Sequence, residues 1–107
     1  MPNILYKFII KIYNMQEKSK KIPKEFIPIL GDIIKSHRNK LKKSIYMISA
    51  EAYTPRSTWR DVEFGVSKNI NLSTFCKIAE GLDITPWELL KELCEKLGKD
   101  FSFTDLD

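Results

Sequence analysis

The chain has 107 residues, of which 43% are hydrophobic and 30% charged, which is typical of one small globular domain. The net charge is +4, and residues 1–43 alone hold 11 basic against 3 acidic residues. No apolar run reaches the roughly 18 residues that a membrane-spanning helix needs, so no such helix is expected. The basic half suits a polyanion such as DNA, and it equally suits a solvated, lysine-rich surface.

The chain opens with an apolar segment, residues 1–14, and continues into a polar, basic linker at residues 16–24. The four-residue spacing of Lys7 and Lys11 fits a helix, whereas the β-branched and aromatic content fits a strand. The segment is expected to pack on the domain or on a second copy. The alternatives are that it lies on a membrane surface, or that translation starts at Met15.

Five short helices are predicted between residues 25 and 98, so the fold is expected to be all-α. The first begins near Pro28 and ends in a basic stretch. Its apolar residues keep helical spacing at Ile29, Leu30, Ile33, Ile34 and Leu41. Ser44 is expected to cap the second helix. Thr54 is expected to cap the third, which would cover residues 55–64 with proline first.

The fourth helix is expected to begin at a cap provided by either Asn71 or Ser73. The residues expected to face inward from it are Leu72, Phe75, Cys76, Ile78, Ala79 and Leu82. The fifth helix has the clearest start, because Thr-Pro-Trp-Glu at residues 85–88 forms a capping box with proline at the first helical position. It is predicted to run to Gly98, and residues 99–107 are expected to form a loose acidic tail.

Cys76 and Cys94 are the only cysteines, and their spacing, with a single histidine in the chain, excludes the common zinc patterns. Both fall on apolar helical positions and are expected to be reduced core residues in a cytoplasmic protein, with a bridge between them as the alternative. Neither a metal nor a cofactor is expected. The chain also lacks a nucleophile–base set and a phosphate-binding loop, so no enzymatic activity is expected.

Two short helices joined by about three turn residues, here between residues 44 and 65, have the geometry of a helix-turn-helix. A set of positions from residue 30 to residue 90 supports this interpretation. They are Leu30-Gly31, Ile34, Arg38, Leu41, Ser44, Ile48, Arg56-Ser57-Thr58, Val62-Glu63, Gly65, Leu72-Ser73, Lys77-Ile78-Ala79, Leu82 and Trp87-Glu88-Leu89-Leu90. This pattern resembles the Cro/repressor-type helix-turn-helix domain, the XRE family, and the stretch KNINLSTFCKIAEGLDI resembles the controller proteins of restriction–modification systems.

The resemblance implies a five-helix, lambda-repressor-like domain over residues 25–98, preceded by an N-terminal extension at residues 1–24. It further implies that the second helix of the pair meets base edges in the major groove. The expected base contacts are Arg56, Ser57, Arg60 and Asp61. The expected contacts to the DNA backbone are Lys43, Ser44, Lys68, Asn69 and Asn71. The alternative for the charged members of both sets is an ordinary solvated surface.

Arg38 and Glu63 match the structural ion pair of the family, the alternative being two independent surface charges. Trp59 falls at an apolar core position of the family. Two residues depart from the pattern, since Ile45 replaces the glutamine commonly found after the cap and Tyr53 replaces the turn glycine. A positive φ is costly for a bulky residue, so the turn is expected to be distorted.

These features predict a sequence-specific regulator of transcription that binds double-stranded DNA as a homodimer on a pseudo-palindromic operator. The dimer surface is expected either on the fifth helix, through Trp87, Leu89 and Leu93, or on residues 1–14. The alternative function is an antitoxin-type module that neutralises a protein toxin and regulates its own promoter. In that case residues 1–14 and the acidic tail would bind the partner.

Overall fold

The computed structural model describes residues 26–104, and this part of the chain forms five α-helices and no strand. They are α1 (Phe26–Leu41), α2 (Ile45–Glu51), α3 (Arg56–Glu63), α4 (Leu72–Gly81) and α5 (Pro86–Leu97). The predicted all-α class is confirmed for these residues. None of the described helices has the length and apolarity to cross a bilayer. The predictions for the N-terminal extension and for residues 105–107 lie outside the described residues.

Short polar side chains determine where α2, α4 and α5 begin. The Ser44 hydroxyl accepts a hydrogen bond from the N–H of the third residue of α2, at 3.1 Å. The Asn71 amide oxygen accepts from the third residue of α4 at 2.8 Å, so Asn71 and not Ser73 is the cap. Thr85 and Glu88 form the predicted capping box. Each cap satisfies a backbone N–H that has no partner within its helix.

The predicted cap of α3 is wrong. Thr54 is buried, and its hydroxyl donates to the carbonyl of Ala52 at 3.0 Å instead of capping the helix. Pro55 takes the N-cap position with a ψ of 141°, and it has no side-chain oxygen that could accept a hydrogen bond. The helix therefore begins at Arg56, one residue later than predicted, and no side-chain hydrogen bond caps its first turn.

All five helices contribute to one core around Trp59, which is completely buried as predicted. The largest fully buried side chains are Trp59, Leu30, Ile34, Ile48, Ile78, Leu89 and Val62. Helix α1 packs against α3 and α5, α2 packs against α3 and α4, and α4 packs against α5. Because truncating a buried tryptophan to alanine typically costs about 3–5 kcal/mol, Trp59 is central to the stability of this arrangement.

Several apolar residues that were predicted to face inward lie on the surface. Leu72 is 77% exposed, because it is the first residue of α4 and precedes the turn that packs on the core. Cys76 is half-buried and Cys94 is exposed, so the core placement is wrong for Cys94. Both thiols are free, and the alternative of a bridge between them is not realised.

Helix α5 buries only one of its apolar sides. Leu89 and Leu93, four residues apart, are buried, whereas Trp87 is 68% and Leu90 43% exposed, with Cys94 exposed on the same outer side. The dimer surface predicted on this helix is therefore wrong for Leu89 and Leu93, because both already pack inside the monomer. Trp87 remains available on the surface.

The residues that follow α5 fold back onto the start of α1. The rings of Phe103 and Phe26 meet edge to face with centroids 5.2 Å apart, and Phe101 contacts Phe103 in the same way at 4.5 Å. Edge-to-face contacts of this kind stabilise aromatic pairs beyond simple burial. Residues 99–104 thus contact the helical domain without forming a helix, and the looseness of the tail stays a prediction.

Candidate nucleic-acid interface

Helices α2 and α3 form a hairpin joined by residues 52–55. Tyr53 lies in the left-handed region with φ = +51°, and its side chain is 86% exposed. The backbone hydrogen bonds of the turn are intact, because Tyr53 N–H donates to Ala50 O at 3.1 Å and Thr54 N–H donates to Ser49 O at 2.9 Å. The bulky residue therefore leaves the turn closed, and its cost is local backbone strain.

The carboxylate of Glu63 is the centre of a buried network at the end of α3. Arg38 donates to both of its oxygens, from Nε at 2.9 Å and from Nη2 at 2.6 Å, and the Glu63 side chain is fully buried. Arg38 Nη1 also donates to the carbonyl of Lys43 at 2.8 Å. The hydrogen bond to Glu63, assisted by its charge, raises the pKa of Arg38 above the usual value, although burial acts in the opposite direction.

Trp59 completes this network, because its indole Nε1–H donates to Glu63 Oε2 at 3.0 Å. The family resemblance implied the pair of Arg38 with Glu63, and the tryptophan bond was missed although Trp59 and Glu63 lie four residues apart on one helix. A buried carboxylate with three donors directed at it is well satisfied, which makes the end of α3 a fixed point of the fold.

Gly31 allows α1 to approach α3 at backbone distance. A Cβ atom at this position would lie 2.5 Å from the carbonyl oxygen of Glu63 and 2.6 Å from that of Val62. Real Cβ atoms do not tolerate such distances, so only glycine fits here. The close contact and the Glu63 network together fix the inner side of α3.

The outer side of α3 carries the residues that were predicted to contact bases. Arg56, Ser57 and Arg60 are exposed and lie on the side away from the core. Asp61 is half-buried, and its carbonyl accepts two backbone hydrogen bonds from the following loop, at 2.9 and 3.1 Å. The structure thus brings three of the four predicted side chains together on an open surface and places Asp61 at its margin.

Arg56 makes a contact that the sequence analysis missed. Its guanidinium carbon lies 5.5 Å from the centre of the Tyr46 ring on α2, within the range of a cation–π interaction. Tyr46 itself is 66% exposed. The two residues are on different helices, so their contact depends on the crossing angle of the hairpin, which sequence periodicity does not determine.

Three of the predicted backbone contacts, Lys68, Asn69 and Asn71, lie together in the loop between α3 and α4, and all three are exposed. The amide oxygen of Asn69 accepts from Ile70 N–H at 2.8 Å, and that of Asn71 caps α4. Both carbonyl oxygens are thus engaged with the backbone. The NH₂ groups remain as donors suited to a phosphate oxygen, beside the ammonium group of Lys68.

The other two predicted backbone contacts, Lys43 and Ser44, lie at the corner between α1 and α2. The ammonium group of Lys43 is 2.6 Å from a carboxylate oxygen of Glu51, and the Ser44 hydroxyl is occupied as the cap of α2. The charge of Lys43 is therefore paired within the chain, whereas the Ser44 hydroxyl accepts in the cap and keeps its O–H as a donor. The loop residues between α3 and α4 therefore differ from Lys43 and Ser44 in the donor groups that they present to an anion.

A further contact between ionisable side chains of the described residues joins α1 to α5, where His37 Nε2 and Glu92 Oε1 lie 2.8 Å apart. Fifty-five residues separate them, so the sequence gave no sign of this pair. Among residues 26–104, no group of three or more His, Cys, Asp or Glu side chains is placed to hold a metal ion.

Comparison with protein-family models, with curated proteins and with solved structures finds no match to this chain. The resemblance to the Cro/repressor-type domain therefore stays a prediction from the sequence. The molecule itself provides a fixed helical hairpin whose second helix exposes two arginines.

Proposed function

We propose that this protein is a sequence-specific regulator of transcription that binds double-stranded DNA and has no enzymatic activity, with α2 and α3 as the helix-turn-helix of a lambda-repressor-like domain. The observation that carries the proposal is the two-sided character of α3. Its inner side is fixed by Trp59 and Glu63. Its outer side exposes Arg56, Ser57 and Arg60. A fixed helix with arginine at its N-terminal end suits the major groove.

In this proposal the two arginines of α3 recognise the base sequence, and the loop between α3 and α4 positions the protein on the DNA. Arg56 and Arg60 can each donate two hydrogen bonds to O6 and N7 of a guanine. Asp61 can accept from N4 of a cytosine, although its partial burial gives it less reach. Lys68 and the amides of the loop between α3 and α4 bind phosphates, which sets the register without selecting a sequence.

The affinity for DNA is expected to be modest or to rest on the lysine-rich N-terminal half of the chain. Helix α2 contains no basic residue, and Lys43 beside it is paired with Glu51. Within residues 26–104, phosphate attraction then comes mainly from Lys68 and from the exposed Lys40 and Lys42 at the end of α1. A protein that neutralises few phosphates has a shallow dependence of affinity on salt.

A single domain of this size contacts one half-site of a few base pairs, so we infer a homodimer on a pseudo-palindromic operator. The outer side of α5, with Trp87, Leu90 and Cys94, is the described surface best suited to join two copies, because its apolar side chains are exposed. A restriction–modification controller acting in the cytoplasm is the specific form that the sequence pattern favours.

The test is selection of bound sequences from a random pool of DNA duplexes. The expected result is enrichment of a motif with two-fold symmetry. The substitution Arg56→Ala is expected to relax the preference at one position of each half-site by about 1–3 kcal/mol, because a bidentate contact is lost. No enrichment above bulk duplex would contradict the proposal.

Lys68→Ala separates positioning from specificity in the same experiment. It is expected to weaken binding to all sequences alike and to reduce the salt slope by about one, because one phosphate contact is lost. The matched control is Lys96→Ala on α5, a helix whose main contacts are with α1 and α4. This control is expected to leave both affinity and salt slope unchanged.

A protein-binding, antitoxin-type function is the second candidate, and the exposed Trp87 and Leu90 favour it because they would also suit a foreign protein. The contact of Phe103 with Phe26 counts against the tail as the binding segment. The discriminating experiment mixes the chain with the product of the neighbouring small reading frame. A stable heteromeric complex in size-exclusion chromatography would favour this candidate, and two separate peaks would remove it.

A further inference from the structure

Three cationic side chains near the hairpin are held in different ways. All three nitrogens of the Arg38 guanidinium donate to oxygen acceptors, on Glu63 and on the Lys43 carbonyl. The Lys43 ammonium group is paired with Glu51. Arg56 is held through the face of the Tyr46 ring, and among residues 26–104 its N–H groups have no hydrogen-bond partner. Within the described part of the chain, the N–H donors of Arg56 are therefore unused.

This difference matters because a guanidinium group is planar and its five N–H donors all lie in that plane. An aromatic ring offers no oxygen acceptor to these donors, whereas a carboxylate accepts hydrogen bonds from the N–H groups along the edge of the guanidinium. Contact with Tyr46 can therefore restrict the Arg56 side chain without using the donors that a guanine would accept. A carboxylate at the same position would use those donors.

We propose that Tyr46 is a positioning residue that holds the Arg56 guanidinium for recognition of a guanine. The inference rests on the proposed function, since it assigns a role to Tyr46 in the same interface. Arg56 is the first residue of α3, and a long side chain at that position loses rotamer freedom when it binds. Contact with the ring imposes part of this restriction before DNA arrives, which reduces the entropic cost of binding.

The expected effect is moderate, because Tyr46 is 66% exposed and cation–π contacts at exposed sites are weak. Tyr46→Leu removes the ring but keeps an apolar side chain. It is expected to lower the preference for guanine at the Arg56-dependent position by about two- to fivefold. Tyr46→Phe keeps the ring and removes only the hydroxyl, so it is expected to retain most of the preference.

The experiment measures affinity for the selected duplex and for a duplex altered at that one position. It compares the original chain, the two Tyr46 variants and the control Met47→Leu, an exposed position on the same helix. In the Arg56→Ala background, Tyr46→Leu is expected to have no further effect on this preference. An unchanged preference in Tyr46→Leu overturns the positioning role, and loss in both Tyr46 variants assigns the effect to the hydroxyl and also overturns it.

A measurement without DNA separates this inference from the proposed function. In proton NMR spectra, the δ-methylene and ε protons of Arg56 are expected to be shifted upfield by the Tyr46 ring. The shift is expected to disappear in Tyr46→Leu and to remain in Tyr46→Phe. If the shift is present but no duplex is enriched, the proposed function fails and the DNA role of Tyr46 fails with it. If duplexes are enriched but the shift is absent, the positioning role alone fails.

Discussion

Tyr53 adopts a backbone conformation that glycine adopts without steric cost. Its φ of +51° brings a Cβ atom close to the neighbouring carbonyl oxygen, and 86% of the side chain is exposed, so burial compensates little. Its strain is a cost to folding that the chain carries at the centre of the candidate interface.

Tyr53→Gly is expected to raise the free energy of unfolding by about 0.5–1 kcal/mol. The relief of about 1–2 kcal/mol of strain exceeds the entropy that glycine adds to the unfolded chain. Urea denaturation measures the change. The control is Ala50→Gly on α2, an exposed helical position, where glycine is expected to destabilise by about 1 kcal/mol. Destabilisation of similar size at both positions would show that Tyr53 is unstrained.

At the scale of single residues, the sequence predicted features that depend on residues nearby in the chain. The cap at Ser44 was predicted, and Asn71 was one of two candidates for the cap of α4, because a cap accepts from a backbone N–H three residues along. The predicted cap at Thr54 failed because the helix begins one residue later, with Pro55 at the N-cap, and the Thr54 hydroxyl donates to the Ala52 carbonyl. Where α3 begins depends on how the hairpin folds, and this is decided by packing between α2 and α3.

Among the elements, α3 depends most on its neighbours. It has eight residues and no side-chain cap, and a helix this short is unstable alone in water. Its position comes from α1, through the close approach at Gly31 and through the pair of Arg38 with Glu63. The stability of the candidate interface is therefore determined by residues that do not belong to it.

Arg38→Met is expected to lower the free energy of unfolding by about 3–5 kcal/mol, because it leaves the buried carboxylate of Glu63 without its cation. The control is Lys43→Met, which breaks the exposed pair with Glu51 and is expected to cost less than about 1 kcal/mol. Urea denaturation of the two variants checks the contrast. Equal, small losses would contradict the structural role of the buried pair.

The pH dependence of this contribution follows from the raised pKa of Arg38. A basic group whose pKa is raised by folding stabilises the protein below its unfolded pKa, and this stabilisation is lost only as pH rises through the folded value. For arginine both values are far above neutrality. The difference between Arg38→Met and the original chain is therefore expected to persist across the neutral range.

Most contacts between helices could not be predicted from the sequence. The pairs Tyr46–Arg56 and His37–Glu92 join different helices, and neither periodicity nor capping gives the crossing angles that create them. The pair of Arg38 with Glu63 was predicted only through a family resemblance. On α5, apolar residues occupy more than one side, so the pattern did not distinguish the inner Leu89 from the outer Leu90.

At the scale of the whole molecule, the described domain has two distinct surfaces of interest. One is the outer side of α3, with its two arginines, and the other is the outer side of α5. A tryptophan that is 68% exposed beside an exposed leucine is a common mark of a protein contact. If two copies meet there, each contributes one DNA-reading surface.

Trp87→Glu is expected to convert a dimer to a monomer in light scattering, because a charge on an apolar contact surface opposes pairing. Deletion of residues 1–14 is expected to leave the dimer intact. The control is Lys96→Glu on the same helix, and reducing conditions exclude bridges through the exposed Cys94. A dimer that survives Trp87→Glu but is lost on the deletion would place the contact on the N-terminal segment.

The backbone contact at Gly31 has a consequence for spacing. It brings the backbones of α1 and α3 into direct contact, and α1 also packs against α5, so the proposed reading helix and the proposed pairing helix pack on the same helix. In a two-fold dimer, the distance between the two α3 helices is then set by the fold and not by a linker. One extra base pair between half-sites shifts them by about 3.4 Å and turns them by about 34° around the duplex. A support that keeps its shape cannot adapt to either change, so such a protein would be selective for the spacing between half-sites as well as for their bases.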